Sequence, residues 1–347
     1  MTVDADDGTI WVLWRARLAL TPFYTYVRGG HISEFGNVIW DINGDGQLVH
    51  SNPFVTTPDY QHPRIKVFKR NGASAHTVAI SGPQGAPGTT FFAGGRCQPP
   101  MGGGIRNSFW QYPLGVYFTV SENNGKNWDD INSAGDMGQP FALGCVGGTG
   151  GPDPTGLLIY SENRIDLARD PHNNNYLVTR ARAVSDQGNF FIGQQVEVWR
   201  RSMTRDARFV RVWPITPAPA LAPSWSASNP WQFNPSIAAR ADGQIAVSYY
   251  QMTGTTQAAE LMAIGSRDGG NTWSDPIQLS RNGGFAVSNR GLGEYDEIVA
   301  MPESVLSPAT PRPNSQFWPG AFYASWSNGV GRVFAAGFSP PAPPPGR

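Results

Sequence analysis

An all-β chain built from repeated four-stranded units is the fold that this sequence predicts, and three observations predict it. The 347 residues include 41 glycines and 30 prolines, well above the ~7% and ~5% of average usage. They also include 12 Trp, 11 Tyr and 18 Phe, which a disordered chain, poor in aromatics, does not carry. Finally, short β-branched and aromatic runs alternate with Gly-, Asn- and Asp-rich turns, and the order recurs roughly every 45 residues, the length of one four-stranded blade.

The clearest unit covers residues 234–280. NPSIAAR reads as a first strand, Ala241-Asp242-Gly243 as a tight turn and QIAVSYYQ as a second strand; ELMAIGS follows as a third, RDGGNTW as a turn and SDPIQLS as a fourth. Upstream, IDLARDP, NNNYLVTRARA, QQVEVWRRS and ARFVRVWPIT supply a second set. HTVAISG, TTFFAGG, GVYFTVS and NWDDINS supply a third, and the opening TVDADDGTIWVLW repeats the hairpin pattern of ADGQIAVSYY. Near the end, DEIVAMP, GAFYASWS and GRVFAAGF make three strands of a last unit that lacks its fourth. The expectation is one β-propeller over residues 1–339, of six blades with four antiparallel strands each, and a Pro-rich disordered tail, PPAPPPGR, over 340–347.

Charge and length exclude several functions. With 26 basic and 26 acidic residues the formal net charge is zero, and 15% of residues are charged. A basic face for nucleic acid or an anionic membrane is therefore not expected. No apolar run reaches the ~18 residues of a membrane span. The N-terminal MTVDADDGTIWVLW has no basic stretch leading into an apolar one, so no signal peptide is expected within this sequence. Cys97 and Cys145 allow at most one disulfide, and inert buried thiols are an equal alternative.

The sharpest motif is Ser266-Arg267-Asp268-Gly269-Gly270-Asn271-Thr272-Trp273, the pattern S-x-D-x-G-x-T-W. Ser121-Glu122-Asn123-Asn124-Gly125-Lys126-Asn127-Trp128 repeats it with Asn in the Asp and Thr positions, and Ser202, Thr204 and Phe209 mark a decayed third copy. A short polar side chain at the third position bonds turn N–H groups, Gly takes the left-handed conformation and Trp packs between strands. The motif resembles the Asp-box, or bacterial neuraminidase repeat, of sialidase-like β-propellers. In those families it lies on an outer hairpin away from the active site, so the resemblance implies fold and leaves chemistry to other residues.

Chemistry is expected on the long loops of the opposite rim, at 94–114, 132–141, 217–234 and 281–296. They carry Arg96, Arg106, Trp110, Tyr112, Trp225, Trp231, Arg290, Glu294 and Tyr295. Aromatic planes beside guanidinium groups suit a sugar ring that bears an anionic group; plugging the loops against the barrel end is the alternative for Trp225 and Trp231. In Gly291-Leu292-Gly293-Glu294-Tyr295-Asp296-Glu297, carboxylates crowd a tyrosine, and such crowding can keep one of them protonated. The sialidase resemblance implies Tyr295 as nucleophile with Glu294 or Glu297 as its base, and Arg64, Arg106 and Arg290 on the substrate carboxylate, with Trp110, Trp225 and Trp231 lining the sugar. The family's Arg-Ile-Pro is Arg64-Ile65-Lys66 in this chain, which loses the proline. Asp296 and Glu297 alternate along a strand, so a loop-capping role for Glu294 and Asp296 stands beside the catalytic one.

Asp41, Asn43 and Asp45 offer oxygen ligands at alternate positions with Gly46 sixth, as a calcium loop requires. Position twelve is Asn52 rather than Glu, and Asn-Gly-Asp-Gly is equally a hairpin turn. His31, His50, His62, His76 and His172 show no metal spacing such as H-x-x-x-H. GGTGGPDPTG lacks the Lys of a phosphate loop. The leading functional expectation is a glycoside hydrolase resembling exo-sialidases. A non-catalytic glycan- or protein-binding propeller and a polysaccharide lyase using Tyr and His are the alternatives. The partner is a carbohydrate or glycoconjugate. The expected compartment is extracellular or periplasmic, with the signal peptide outside this sequence, and a cytoplasmic place stays open.

Overall fold

The computed structural model describes residues 1–4, 7–17, 23–49, 64–70, 72–85, 113–129, 165–185, 191–204, 207–214, 231–252, 258–280, 285–286, 297–301, 322–327 and 333–340. All regular structure among them is β, in two compact units.

The first unit holds two sheets. One is a meander of β1 (Thr2–Val3), β2 (Ile10–Arg17), β3 (Phe23–Ile32) and β4 (Val38–Leu48), and the other of β5 (Arg64–Lys69), β6 (His76–Gly85) and β7 (Pro113–Ser121). The opening hairpin forms as expected: Asp4 N–H donates to the Thr9 carbonyl at 2.9 Å. Trp11, Val27, Ile65, Val67, Val78 and Ile80 make one core shared by both sheets. Gly29 is required there, because a Cβ at that position would lie 2.7 Å from Trp11 Cε2. One assignment changes. RIKVFK is the first strand of the second sheet, and β6 pairs directly with β7. TTFFAGG, expected between them, lies outside the described residues.

In the second unit, β8 (Ile165–Asp170), β9 (Asn175–Ser185), β10 (Phe191–Ser202) and β11 (Val210–Trp213) form one antiparallel meander. A second consists of β12 (Trp231–Ala239), β13 (Ile245–Met252), β14 (Ala258–Ser266) and β15 (Ile277–Gln278), with β16 (Phe285–Ala286) also on β14. A single parallel bridge, Gln194 to Trp231, joins the two. The third sheet has β17 (Glu297–Ala300), β18 (Phe322–Ser327) and β19 (Val333–Phe338). Among the described residues there are thus five meanders where six blades were expected.

Strand alternation explains the packing of the second unit. Val247 and Tyr249 of β13 face one way, onto Leu177, Val196 and Val198 of the first meander. Ala246 and Tyr250 face the other, onto Ile298, Phe322, Ala324 and Trp326 of the third sheet. Period-two side chains on a sheet buried on both faces produce this sandwich of three layers.

The S-x-D-x-G-x-T-W turn follows β14. Ser266 Oγ accepts the N–H groups of Asp268 and Gly270 at 3.3 and 2.8 Å, and Asp268 Oδ1 accepts those of Asn271 and Thr272 at 3.1 and 2.9 Å. Thr272 Oγ1 donates to Asp268 Oδ2 at 2.6 Å. Gly269 and Gly270 have φ of +70° and +86°, the region L side chains avoid. Trp273 is buried and donates Nε1–H to the Gly270 carbonyl. After β7 the wiring repeats: Ser121 Oγ accepts Gly125 N–H at 2.9 Å and Asn123 Oδ1 accepts Asn127 N–H at 2.8 Å. In the decayed copy Ser202 Oγ still accepts Thr204 N–H at 3.3 Å, and Phe209 is buried. Pro340, the first residue of the expected tail, is buried too, and its carbonyl accepts Arg267 Nε–H and Nη2–H at 2.9 and 2.6 Å.

Candidate functional site

In the second unit the sheets begin at β8, β12 and β17, and these three strands are tied by a polar chain. Asp166 Oδ2 accepts Ser236 Oγ–H at 2.7 Å and Ile237 N–H at 2.9 Å. Ser236 Oγ in turn accepts Ile298 N–H at 3.1 Å. Asp166 and Ser236 are both buried, and a buried carboxylate is tolerated only when hydrogen-bonded in this way. The chain ties the starts of β8 and β17, into which residues 130–164 and 287–296 lead, to Ser236 and Ile237, the sixth and seventh residues of β12.

Beside it β12 carries a bulge. Phe233 pairs with Tyr250 and Ser236 with Ser248, so Asn234 and Pro235 together stand opposite Tyr249. Asn234 has φ of +46°, a conformation Asn tolerates better than other non-Gly residues. Pro235 has no N–H for the ladder, which breaks the pairing at that point. The bulge buries Asn234, and its Oδ1 has no hydrogen-bond partner among the described residues. The Tyr249 hydroxyl opposite is buried and equally without a partner there; burial pushes this phenol up from its ordinary pKa. Gln232 stitches the bulge into place: its Oε1 accepts Val196 N–H at 3.0 Å, and its Nε2 donates to Gln251 Oε1 at 3.1 Å. Buried polar atoms without partners are rare in folded proteins, and bulges concentrate next to functional sites.

On the other face of the β8–β11 sheet, Arg180 Nε–H and Nη2–H donate to Glu197 Oε2 at 3.2 and 3.1 Å, and Trp199 Nε1–H donates to the same oxygen at 3.0 Å. Arg211 reaches Glu197 Oε1 at 3.3 Å. Glu197 and Arg180 are buried, and the guanidinium lies 5.1 Å from the Trp199 ring centroid. With all its strong donors supplied by fixed neighbours, Glu197 acts as a structural anchor.

The expected site residues distribute as follows. Trp231 is the first residue of β12, three positions before Asn234, and Glu297 is the first residue of β17, exposed and opposite Ser325. Arg64 begins β5 in the first unit, opposite Ser81 and half-buried. Tyr295, Glu294, Arg106, Arg290, Trp110 and Trp225 lie outside the described residues, as do His50, His62, Cys97 and Cys145. The segment 41–46 belongs to strand β4. Asp41 takes His31 Nδ1 at 3.1 Å, and Asn43 Nδ2–H donates to the Asn124 carbonyl at 2.6 Å. Asp166, Ser236 and Asn234 were not among the expected residues. The Asn-Pro-Ser sequence inside an otherwise regular strand was the signal for the bulge, whereas Asp166 lies 70 residues from Ser236 and had none.

No family model and no curated protein matches the chain. Among solved structures, an α-L-arabinofuranosidase from Fusarium graminearum in complex with an iminosugar inhibitor is similar at 14% identity and a TM-score of 0.47, over 96% of this chain and 75% of that one. An endo-arabinase from Bacteroides thetaiotaomicron is similar at 11% identity and 0.45, over 99% of this chain and 93% of that one. The NanB sialidase from Streptococcus pneumoniae is similar at 8% and 0.42, over 94% and 55% respectively.

Proposed function

We propose that the chain is a carbohydrate-active β-propeller whose binding site lies at the starts of its first strands, and that it is a glycoside hydrolase resembling exo-sialidases. The observation that carries this reading is the β12 bulge, where two buried polar groups, Asn234 Oδ1 and the Tyr249 hydroxyl, lack partners among the described residues. Neutral donors and acceptors of this kind match sugar hydroxyls. The segments that run into these strands carry Trp225, Trp231, Arg290, Glu294 and Tyr295. In this reading Arg106 and Arg290 hold an anionic group and Trp110, Trp225 and Trp231 cover the ring. Tyr295 attacks the anomeric carbon as Glu294 or Glu297 takes its proton; the bond to the leaving group breaks, and water then releases the sugar. Such an enzyme works outside the cytoplasm, on glycoconjugates or polysaccharide.

The test is turnover of a panel of fluorogenic glycosides, sialic acid and arabinofuranose conjugates included, by the wild type, Tyr295→Phe and Asn234→Gly. Turnover that Tyr295→Phe abolishes supports the hydrolase. Glycan binding without turnover, lost in Asn234→Gly, leaves a binding propeller. That second reading has one observation in its favour: Asp166, the buried carboxylate at this end, is held by fixed donors and serves structure. Absence of both binding and turnover sinks the carbohydrate reading.

A further inference from the structure

We propose that Asp4, Asp7 and His76 form a binding site for a divalent metal ion of the zinc or manganese class. It is the one group of three metal-ligating side chains found among the described residues, with ligand atoms all within 4.8 Å of one another. The site lies wholly in the first unit and is independent of the proposed carbohydrate activity.

The β1–β2 turn aims both carboxylates. Gly8 N–H donates to the Asp4 carbonyl at 2.8 Å and Thr9 N–H to Asp7 Oδ1 at 2.9 Å. Those bonds leave Asp4 Oδ2 and Asp7 Oδ2 turned to His76, the first residue of β6. His76 Nε2 stands 3.0 Å from Asp7 Oδ2 and 3.5 Å from Asp4 Oδ2. Donors bound tetrahedrally at about 2.0–2.2 Å stand roughly 3.3–3.5 Å apart, so both separations are close to those a small dication imposes.

The histidine is oriented as a ligand. Asn124 Oδ1 accepts the His76 main-chain N–H at 2.7 Å, and a main-chain N–H can only donate, so this atom is an acceptor. His76 Nδ1 lies 3.2 Å from the same oxygen and must therefore keep its proton. That fixes the ring so that Nε2 is the atom available to a metal, the outer contact that ligating histidines characteristically make. The edge of the Trp11 indole, 5.3 Å away between ring centroids, closes one side.

Charge and access agree with this assignment. Asp4 and His76 are buried while Asp7 is about a quarter exposed, at 28%, which opens one side for entry and for a water as fourth ligand. Lys69 Nζ sits 2.7 Å from Asp7 Oδ2, where it would compete with a dication. An imidazole and two carboxylates, with no thiolate, suit zinc, manganese or nickel rather than copper(I).

The experiment uses the full chain stripped with chelator. Zinc is titrated by calorimetry while the His76 ring nitrogens are followed by NMR, and cobalt(II) is added in parallel for its visible spectrum. The expected result is one equivalent of zinc bound and a shift of the His76 Nε2 resonance. His76→Ala and Asp4→Asn should lose the site. Asn124→Ala should weaken it about 10–100-fold, and Lys69→Ala should tighten it. Should His76→Ala fail to fold, the Asn124 and Lys69 variants carry the same decision. No zinc uptake overturns the proposal; so does uptake that leaves the His76 resonance unmoved, or affinity unchanged in both Asn124→Ala and Lys69→Ala.

Discussion

Ser236 Oγ lies 2.7 Å from Asp166 Oδ2 and 3.1 Å from Ile298 N, so one hydroxyl links the first strands of three sheets. It donates to the carboxylate and accepts from the main chain, using both of its functions. Each link bridges segments more than sixty residues apart, and the chain holds only if the sheets are correctly assembled. Ser236→Ala leaves the Ile298 N–H and one carboxylate oxygen short of a partner, at a cost of roughly 1–3 kcal/mol. Asp166→Ala strips the Ser236 hydroxyl and the Leu167 and Ile237 N–H groups of their acceptor and should cost more, whereas Asp166→Asn keeps an acceptor and should fall between. Urea unfolding midpoints of the three variants check the order.

The Arg180–Glu197 pair gives a second ordering. Removing one member strands a buried charge, and Glu197→Ala should cost about 3–5 kcal/mol. Replacing both at once by apolar residues of similar volume, as in Arg180→Met with Glu197→Leu, removes the desolvation penalty as well and should be far milder than either single change. Arg211 and Trp199 Nε1 then face water or lose a partner, which keeps the double variant below the wild type. Denaturation of the two singles and the double closes the cycle.

The turn at Asp268 makes stability pH-dependent. Burial acts to raise this carboxyl, but bonds from Thr272, Ser266 and Asn271 outweigh it and leave the folded pKa lowered. Asp242 is lowered in the same way, with burial opposed by Arg240 and Gln244. A group with a lowered folded pKa stabilises above its unfolded value, about 3.9 for Asp, and that contribution disappears as the pH falls through the folded value. Asp268→Asn should therefore flatten the acid limb of the stability curve below about pH 4 while keeping most stability near neutrality, since Asn123 already serves the sister turn. Asp268→Ala should cost about 1 kcal/mol, the low end for lost hydrogen bonds, because Asp268 and Asn271 are exposed and their donors can reach water.

What could be read from the sequence divides by range. The strands of 234–280 and the turn at 266–273 were legible because alternation and the bonds from Ser266, Asp268 and Trp273 that close the turn act within eight residues. TTFFAGG reads as a strand by composition alone, and composition does not say that β6 and β7 pair directly. The relations that build the two polar sites are long-range: Asp166 meets Ser236 across 70 residues, and Asp7 meets His76 across 69. No spacing rule reaches that far. The Asn234 bulge sits between, announced by Asn-Pro inside a strand but given meaning only by Tyr249 opposite it.

Tyr249 supplies the last prediction. It is fully buried against Val247, Ile264 and Trp273 and lies 6.1 Å from the Trp213 ring centroid, yet its hydroxyl has no partner among the described residues. A buried hydroxyl that lost its water hydrogen bonds without replacement is a net burden on the folded state. Tyr249→Phe keeps the ring and its packing and deletes only that group, so the free protein should be as stable as the wild type or more stable, by up to about 1–3 kcal/mol. Tyr249→Leu, which also removes aromatic volume, should lose stability through the cavity it leaves. If sugar hydroxyls are what the phenol meets, Tyr249→Phe should at the same time weaken glycan binding. A Phe variant less stable than the wild type in the absence of ligand shows that the hydroxyl is already satisfied within the fold, and that the bulge at Asn234 serves packing alone.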